Sequence, residues 1–250
     1  MNAARGLWAY RTSQAILRVL LTGFVRRHLY GVEHLRNVAR RRSPFLLTPN
    51  HISHFDGPLL AMTVGRMVDW LVVAKFFTPP PLGWWMRRCG GLPVRHGARL
   101  TATVGTVRDA RRRLHAGRPL GIFPDGGLRT GERSVLEGAR PLRGVAWLAR
   151  RDQVPVLPCV ILGTDRLYVK GNWRPGRGRV PVWIGFGPAI EPHEWPDDSP
   201  DLYSERMRKL YTEMRAFFQL RSDDLPTTAQ RRWAGAERMK DEAGRQESRE

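Results

Sequence analysis

Residues 43–66, "SPFLLTPNHISHFDGPLLAMTVGR", carry an apolar run into a polar turn and then into a helical pattern. Phe45, Leu46 and Leu47 are consecutive apolar residues, as in a strand covered on both faces. Asn50, His51, His54 and Asp56 come immediately after, at a density of polar and titratable groups that no core strand would tolerate. Asp56-Gly57-Pro58 then reads as a helix start, since proline suits the first helical position and aspartate the one before it. Strand, turn, helix is how a βαβ unit begins. In open α/β sheets the chemistry collects at such strand ends.

The alternation continues along the chain. "DWLVVA" (69–74), "GLPV" (91–94), "PLGIFP" (119–124), "VPVLPCVILG" (154–163) and "VPVWIGFG" (180–187) read as further strands. "PLLAMTVGR" and "LGWWMRRC" read as short helices, and 101–117, 141–153 and 201–220 as longer ones; the helix at 101–117 ends in glycine. The expected architecture is a single α/β domain at 31–220, with a mostly parallel, partly mixed sheet flanked by helices. Residues 1–30 form an N-terminal segment around an amphipathic helix. Residues 221–250 are polar and charge-balanced, and read as a frayed helix or disorder.

Of 250 residues, 42 are basic and 23 acidic, a formal net charge of +19. The segment 221–250 holds seven of each, so the whole excess sits on the first 220 residues. Lysine occurs only at Lys75, Lys170, Lys209 and Lys240; all other basic residues are arginine, whose fork suits phosphate and carboxylate. Such a surface expects a polyanion: nucleic acid, an anionic membrane or a phosphorylated molecule. No helix-turn-helix, zinc or RNA-binding signature accompanies the charge, and the aromatics lie in apolar stretches, so no specific nucleic-acid partner is expected. Cys89 and Cys159 have no metal spacing and no disulfide pattern, which points to a reducing compartment. No secretory signal is visible. The apolar segment 15–25 is too short to span a bilayer and contains Arg18. Flanked by Arg11, Arg26 and Arg27, it suits either a membrane interface or the domain's own core.

Three readings of the turn at 48–58 compete. His51, His54 and Asp56 could hold a metal, as in a metal-dependent hydrolase, but His28, His34, His96, His115 and His193 supply no further ligand spacing. Asp56 could be a helix cap alone, which leaves His51 unexplained. His51 and Asp56 could be a general base and the carboxylate that orients it. Five residues apart on one helix they would diverge; with a turn between them they can meet.

Three further blocks, in order along the chain, make the pattern specific. "NHISHFD" (50–56) resembles the Asn-His-x4-Asp block of the glycerolipid (1-acylglycerol-3-phosphate, or lysophospholipid) acyltransferase family. "LGWWMRRCGGLPVRHG" (82–97) resembles its second block, with Gly90 leading to Arg95. "GIFPDGGLRTG" (121–131) resembles the third, Phe-Pro-Glu-Gly followed by arginine, and "VPVLPCVI" (154–161) resembles the fourth. The resemblance covers about residues 30–190. It implies acyl transfer from acyl-CoA or acyl carrier protein to the hydroxyl of a lysophospholipid, most simply lysophosphatidic acid. His51 and Asp56 would be catalytic, with no metal and no bound cofactor. The chain has no Gly-x-Ser-x-Gly elbow, in keeping with direct attack and no acyl-enzyme. Arg95 is expected to hold the acceptor's phosphate.

The third block departs from the family. Asp125 stands where glutamate is usual, and Leu128 where arginine is expected, with Arg129 one residue later. Asp125, Gly126, Gly127 and Arg129 are expected to bind substrate, the glycines by letting backbone N–H groups approach an anion. The departure puts the head group in question more than the reaction, and leaves an inactive lipid-binding member as an alternative. Lys75 is a further phosphate candidate. "FFTPPPLGWW" (76–85) suits a membrane, an acyl channel or the core. The expected location is peripheral or monotopic, on the cytoplasmic face of the cell membrane.

Overall fold

The computed structural model describes residues 3–94, 100–167 and 179–225. Its elements run α1 (Ala3–Thr22), β1 (Val25–Tyr30), α2 (Val32–Arg40), β2 (Leu46–Pro49), α3 (Asp56–Thr63), β3 (Asp69–Val73), α4 (Pro80–Arg88), β4 (Gly91–Val94), α5 (Leu100–His115), β5 (Leu120–Gly121), α6 (Gly144–Asp152), β6 (Val156–Leu162), β7 (Val180–Phe186) and α7 (Asp201–Phe217). Among the described residues the strands form one seven-stranded sheet in the order β1-β7-β6-β2-β5-β3-β4. β6, β2, β5, β3 and β4 are mutually parallel. β7 pairs antiparallel with β6, and β1 runs parallel to β7, so the sheet is mixed at one edge.

Alternation along β2 explains why its apolar run has no polar face. Leu46 enters the cluster built with α5, α6 and α7, while Leu47 enters the one built with α2 and α3. Successive side chains leave a strand on opposite faces, and both faces here are covered. α7 closes one side with the stripe Tyr203, Met207, Leu210, Tyr211 and Met214, spaced at helical period.

From β2 the chain leaves towards β3 on one side; from β5 it leaves towards β6 on the other. The crevice between the carboxyl ends of β2 and β5 is therefore a topological switch point, where open α/β sheets bind ligands.

Several boundaries differ from the expected ones. β5 is only two residues long. Residues 141–143 precede α6, which starts at Gly144. Residues 25–30, expected with the N-terminal segment, form the edge strand β1, whose Arg26 and Arg27 are exposed. α2 was not anticipated. α1 begins well before the apolar segment and is anchored: Ala9 and Tyr10 are buried, and the Val68 N–H donates to Tyr10 Oη at 3.5 Å. Gln14 Nε2 donates to the Ala61 carbonyl, and Trp85 Nε1 donates to Ser13 Oγ at 2.8 Å. One face of α1 thus packs on α3 and α4. The opposite face shows Ile16, Val19 and Leu20, with Val19 80% exposed. No described helix is long and apolar enough to cross a membrane.

Candidate active site

His51 and Asp56 meet. The chain turns between Asn50 and Phe55, so the five-residue separation that would misalign them on one helix brings them together here. His51 Nδ1 lies 2.8 Å from Asp56 Oδ2. The same oxygen accepts the N–H groups of Ile52 and Ser53, each at 2.8 Å. Thr164, just past β6, donates its hydroxyl to Asp56 Oδ1. Asp56 is fully buried, and these four donors satisfy its carboxylate. With the carboxylate accepting at Nδ1, neutral His51 carries its proton there, and Nε2 is the basic nitrogen. Nε2 has no hydrogen-bond partner among the described residues, and the side chain is 16% exposed.

The backbone of His51 is held as firmly as its ring. Its N–H donates to Asp125 Oδ2 at 3.0 Å, and its carbonyl accepts from the Arg129 N–H at 2.8 Å. The ring stacks on Phe123, centroids 3.8 Å apart and planes 19° apart, and Phe123 stacks in turn on Trp70. Trp70 lies so close over β5 that a Cβ on Gly121 would fall 2.3 Å from its indole, so this position must be glycine. Asn50 ties the turn to the sheet: its side chain donates to the Ile161 carbonyl at 3.0 Å and accepts the Ile161 N–H at 2.8 Å, fully buried. The side-chain amide thereby continues the β2–β6 ladder past the end of β2.

The structure gives Asp125 two backbone partners. Oδ2 accepts the His51 N–H, and Oδ1 accepts the Val135 N–H at 2.9 Å. With each oxygen accepting a backbone N–H, it braces the loop after β5 against the loop after β2. Burial pushes its carboxyl up to about 6, against the pull of those two N–H donors and of His51.

The other expected residues gather at the same edge of the sheet. Gly126 takes a left-handed φ of 68°, and its N–H is bonded to the Phe123 carbonyl at 3.0 Å, so it shapes the turn. Gly127 sits beside the Arg129 side chain. Arg129 is exposed and forms no ion pair among the described residues; its Nη1 reaches only the Leu128 carbonyl at 3.4 Å. Lys75, in the short 3-10 turn Ala74–Phe77 after β3, is exposed with its ammonium over the Phe76 ring at 5.3 Å. Phe76 contacts the His54 ring edge-on, which turns His54 towards this loop. No group of three His, Cys, Asp or Glu among the described residues is placed to share a metal ion. Arg95 comes directly after β4 and lies outside the described residues, as does the charged tail beyond 225.

Thr164 and the Phe123–Trp70 stack were not singled out from the sequence. Gly163-Thr164 at the end of a buried strand is a turn signal, and Gly163 does take φ 85°. That the threonine meets Asp56, 108 positions earlier, is a product of the fold alone.

A buried carboxylate thus orients a histidine at the switch point of an α/β sheet, with Nε2 left able to accept a proton. The Acyltransferase family model matches residues 26–162, and the chain belongs to that family. It is similar to a lyso-ornithine lipid O-acyltransferase of Pseudomonas aeruginosa, 32% identical over 136 residues, half of this chain and 51% of that protein. An uncharacterised protein of Mycobacterium tuberculosis is 26% identical over 61% of this chain and 42% of its own length. The chain thus spans about half the length of the curated relatives it matches. The crystal structure of the 1-acyl-sn-glycerophosphate (LPA) acyltransferase PlsC from Thermotoga maritima superposes with a TM-score of 0.63 at 20% identity, covering 85% of this chain and 81% of that one. The α/β fold with its mixed sheet is that of this acyltransferase.

Proposed function

We propose that this protein transfers an acyl chain from acyl-CoA or acyl carrier protein to the hydroxyl of a lysophospholipid, with lysophosphatidic acid as acceptor and phosphatidic acid as product. The observation that carries the reading is the His51 Nδ1–Asp56 Oδ2 hydrogen bond at 2.8 Å, with Nε2 left as the basic atom at the switch point. His51 Nε2 takes the acceptor's hydroxyl proton as the oxygen attacks the thioester carbonyl. Asp56 stabilises the imidazolium that forms. Collapse of the tetrahedral intermediate breaks the carbon–sulfur bond, and the imidazolium returns its proton to the departing thiolate. The products are an ester and a free thiol, with no acyl-enzyme and no cofactor. Arg129, whose backbone N–H bonds the His51 carbonyl, and Lys75, over the Phe76 ring, are exposed cations that supply charge for an anionic head group, and Arg95 joins them on the family resemblance. The relatives' names frame the acceptor: one acts on a lyso-ornithine lipid, another on lysophosphatidic acid. Acyl-CoA supplied with each of these lysolipids separately tests the choice. Phosphatidic acid formed from lysophosphatidic acid is the expected product; turnover with lyso-ornithine lipid alone would overturn the head-group assignment.

The acceptor is membrane-borne, and the protein offers a surface for meeting it. The free face of α1 presents Trp8, Ile16, Val19 and Leu20, and α4, packed beside it, presents Leu82 and Trp84. Arg11, Arg18 and Arg87 are exposed among them, and the Arg88 guanidinium lies over Trp84 at 4.2 Å. Apolar wedges with an arginine fringe suit peripheral docking on an anionic bilayer, and a cytosolic thioester donor places that bilayer on the cytoplasmic face. Co-sedimentation with vesicles containing anionic lipid should fall about tenfold in a Val19→Asp/Trp84→Ala double variant. Equal binding by variant and wild type would refute this surface.

A further inference from the structure

Asp56 is a fully buried carboxylate with no lysine or arginine within 4 Å among the described residues. Among the described residues, the titratable groups that interact with it are His51 from its own turn, Asp125 from the loop after β5 and Cys159 from β6, and the buried Asp165 follows Thr164 in the chain. None of these is a fixed cation, so the anion is held by neutral donors and by His51. Three of its four donors, His51, Ile52 and Ser53, lie within five residues of it and all reach Oδ2. A tight turn would supply these by itself. The fourth comes from across the sheet and alone reaches Oδ1: the hydroxyl of Thr164, itself fully buried.

Thr164 opens the 3-10 turn Thr164–Leu167, where a threonine ordinarily caps its own backbone. Its hydroxyl is directed at Asp56 instead. The left-handed Gly163 aims it there, and a Cβ on Gly163 would fall 2.3 Å from the Pro181 carbonyl oxygen, so no other residue fits the bend.

We propose that Thr164 is a positioning residue for the acid–base pair, setting both the rotation of the Asp56 carboxylate and the charge it presents to His51. The hydroxyl draws charge towards Oδ1 and pins the carboxylate plane. Without it Oδ2 becomes a stronger acceptor, the imidazolium is held more tightly, and the carboxylate can rotate out of line with Nδ1. The chain of dependence is Thr164 Oγ1 to Asp56 to His51, and it links the end of β6 to the turn after β2. This rests on His51 being the general base.

The test compares wild type with Thr164→Val, which keeps the shape and removes the hydroxyl, and with Thr164→Ser, which restores it. In steady-state acyl-CoA and lysolipid assays, Thr164→Val should move the acid limb of the pH–rate profile up by about half to one unit. It should lower plateau kcat about tenfold and leave KM within about twofold, with Thr164→Ser close to wild type. The low-field proton resonance of the His51 Nδ1–H, identified by its loss in His51→Ala, should shift in Thr164→Val and return in Thr164→Ser. That resonance needs no turnover. If His51→Ala retained activity, the general-base reading would fall while the resonance still decided the coupling. If Thr164→Val fails to accumulate, Thr164→Cys, a weak donor of similar size, carries the same readouts. An unmoved limb and an unmoved resonance would overturn the proposal, even with reduced kcat, because loss of packing alone changes neither.

Discussion

Replacing Asp56 by asparagine separates its charge from its geometry. The amide oxygen can occupy the Oδ2 position and accept from Ile52, Ser53 and His51. The amide nitrogen then faces the Thr164 hydroxyl, which can turn to accept from it. The reversed placement would set an NH2 group against two backbone N–H donors, so the turn itself selects the first. The tautomer of His51 is thereby kept, and what disappears is the negative charge opposite the forming imidazolium. At the 2.8 Å separation of Nδ1 and Oδ2, two unit charges in an effective dielectric of about 20 attract by about 6 kcal/mol, an upper bound on the loss. Measured hydrogen bonds to charged groups contribute about 1.5–3 kcal/mol, a lower bound. Turnover of Asp56→Asn should therefore fall between about 10-fold and about 2 × 10⁴-fold. Acceptor KM should stay within about threefold, since Asp56 is buried away from ligand. Initial rates of thiol release across acceptor concentrations read both constants, and a melting curve checks the fold. Unchanged kcat would reduce Asp56 to a tie for the turn and remove the basis for the pair.

The remaining predictions reach the brace, the ladder and the cations. Burial raises Asp125 from 3.8 to about 6, so the folded state keeps a proton that the unfolded chain has released between those values. Its contribution to stability therefore falls as pH rises through that window, by on the order of 2–3 kcal/mol. Asp125→Asn lacks this cost, and its stability relative to wild type in urea melts should rise from pH 4 to 6.5; a constant difference would contradict the assignment. Asn50→Ala leaves the Ile161 N–H and carbonyl unpaired inside the sheet and should cost about 2–5 kcal/mol in the same melts; a loss under about 1 kcal/mol would show that the ladder does not need the side chain. Arg129→Ala and Arg95→Ala should each raise acceptor KM about tenfold with little change in kcat. A fall in kcat alone would place either residue at the transition state and not on the head group.

The run Phe45–Leu46–Leu47 with histidine and aspartate close behind it was enough to place a buried strand, a strand-end turn and a helix, because burial on two faces and the chemistry of a turn are both local properties. The mixed, mostly parallel sheet could be inferred from the alternation of such runs with helical periods. β1 was not readable because "VRRHLY" is an edge strand with exposed arginines and lacks the apolar alternation that marks a strand. α2 escaped for a related reason: only Leu35 and Val38 of its nine residues are buried. At the site, spacing allowed His51 and Asp56 to meet but could not show that they do; the turn that joins them depends on Asn50 bonding to a strand 111 residues away. Asp125 stood out in the sequence as a substrate contact because it sits in a glycine-rich turn after a strand; its brace to the backbone had no local signal. Only the fold shows its oxygens occupied by backbone N–H groups from two different loops. Thr164 carried a turn signal with Gly163 but none for its role, since its partner is distant in sequence. α1 suited both core and membrane as sequence, and the structure explains why: it has an anchored face and an exposed apolar face.

The measurement that bears most directly on the central claim is thiol release from an acyl-CoA with lysophosphatidic acid, wild type beside His51→Ala, both shown to be folded. Release should require the acceptor, and His51→Ala should lower it by at least about a thousandfold. Equal release by the two proteins would contradict the claim, because the proton would then be taken without His51 Nε2.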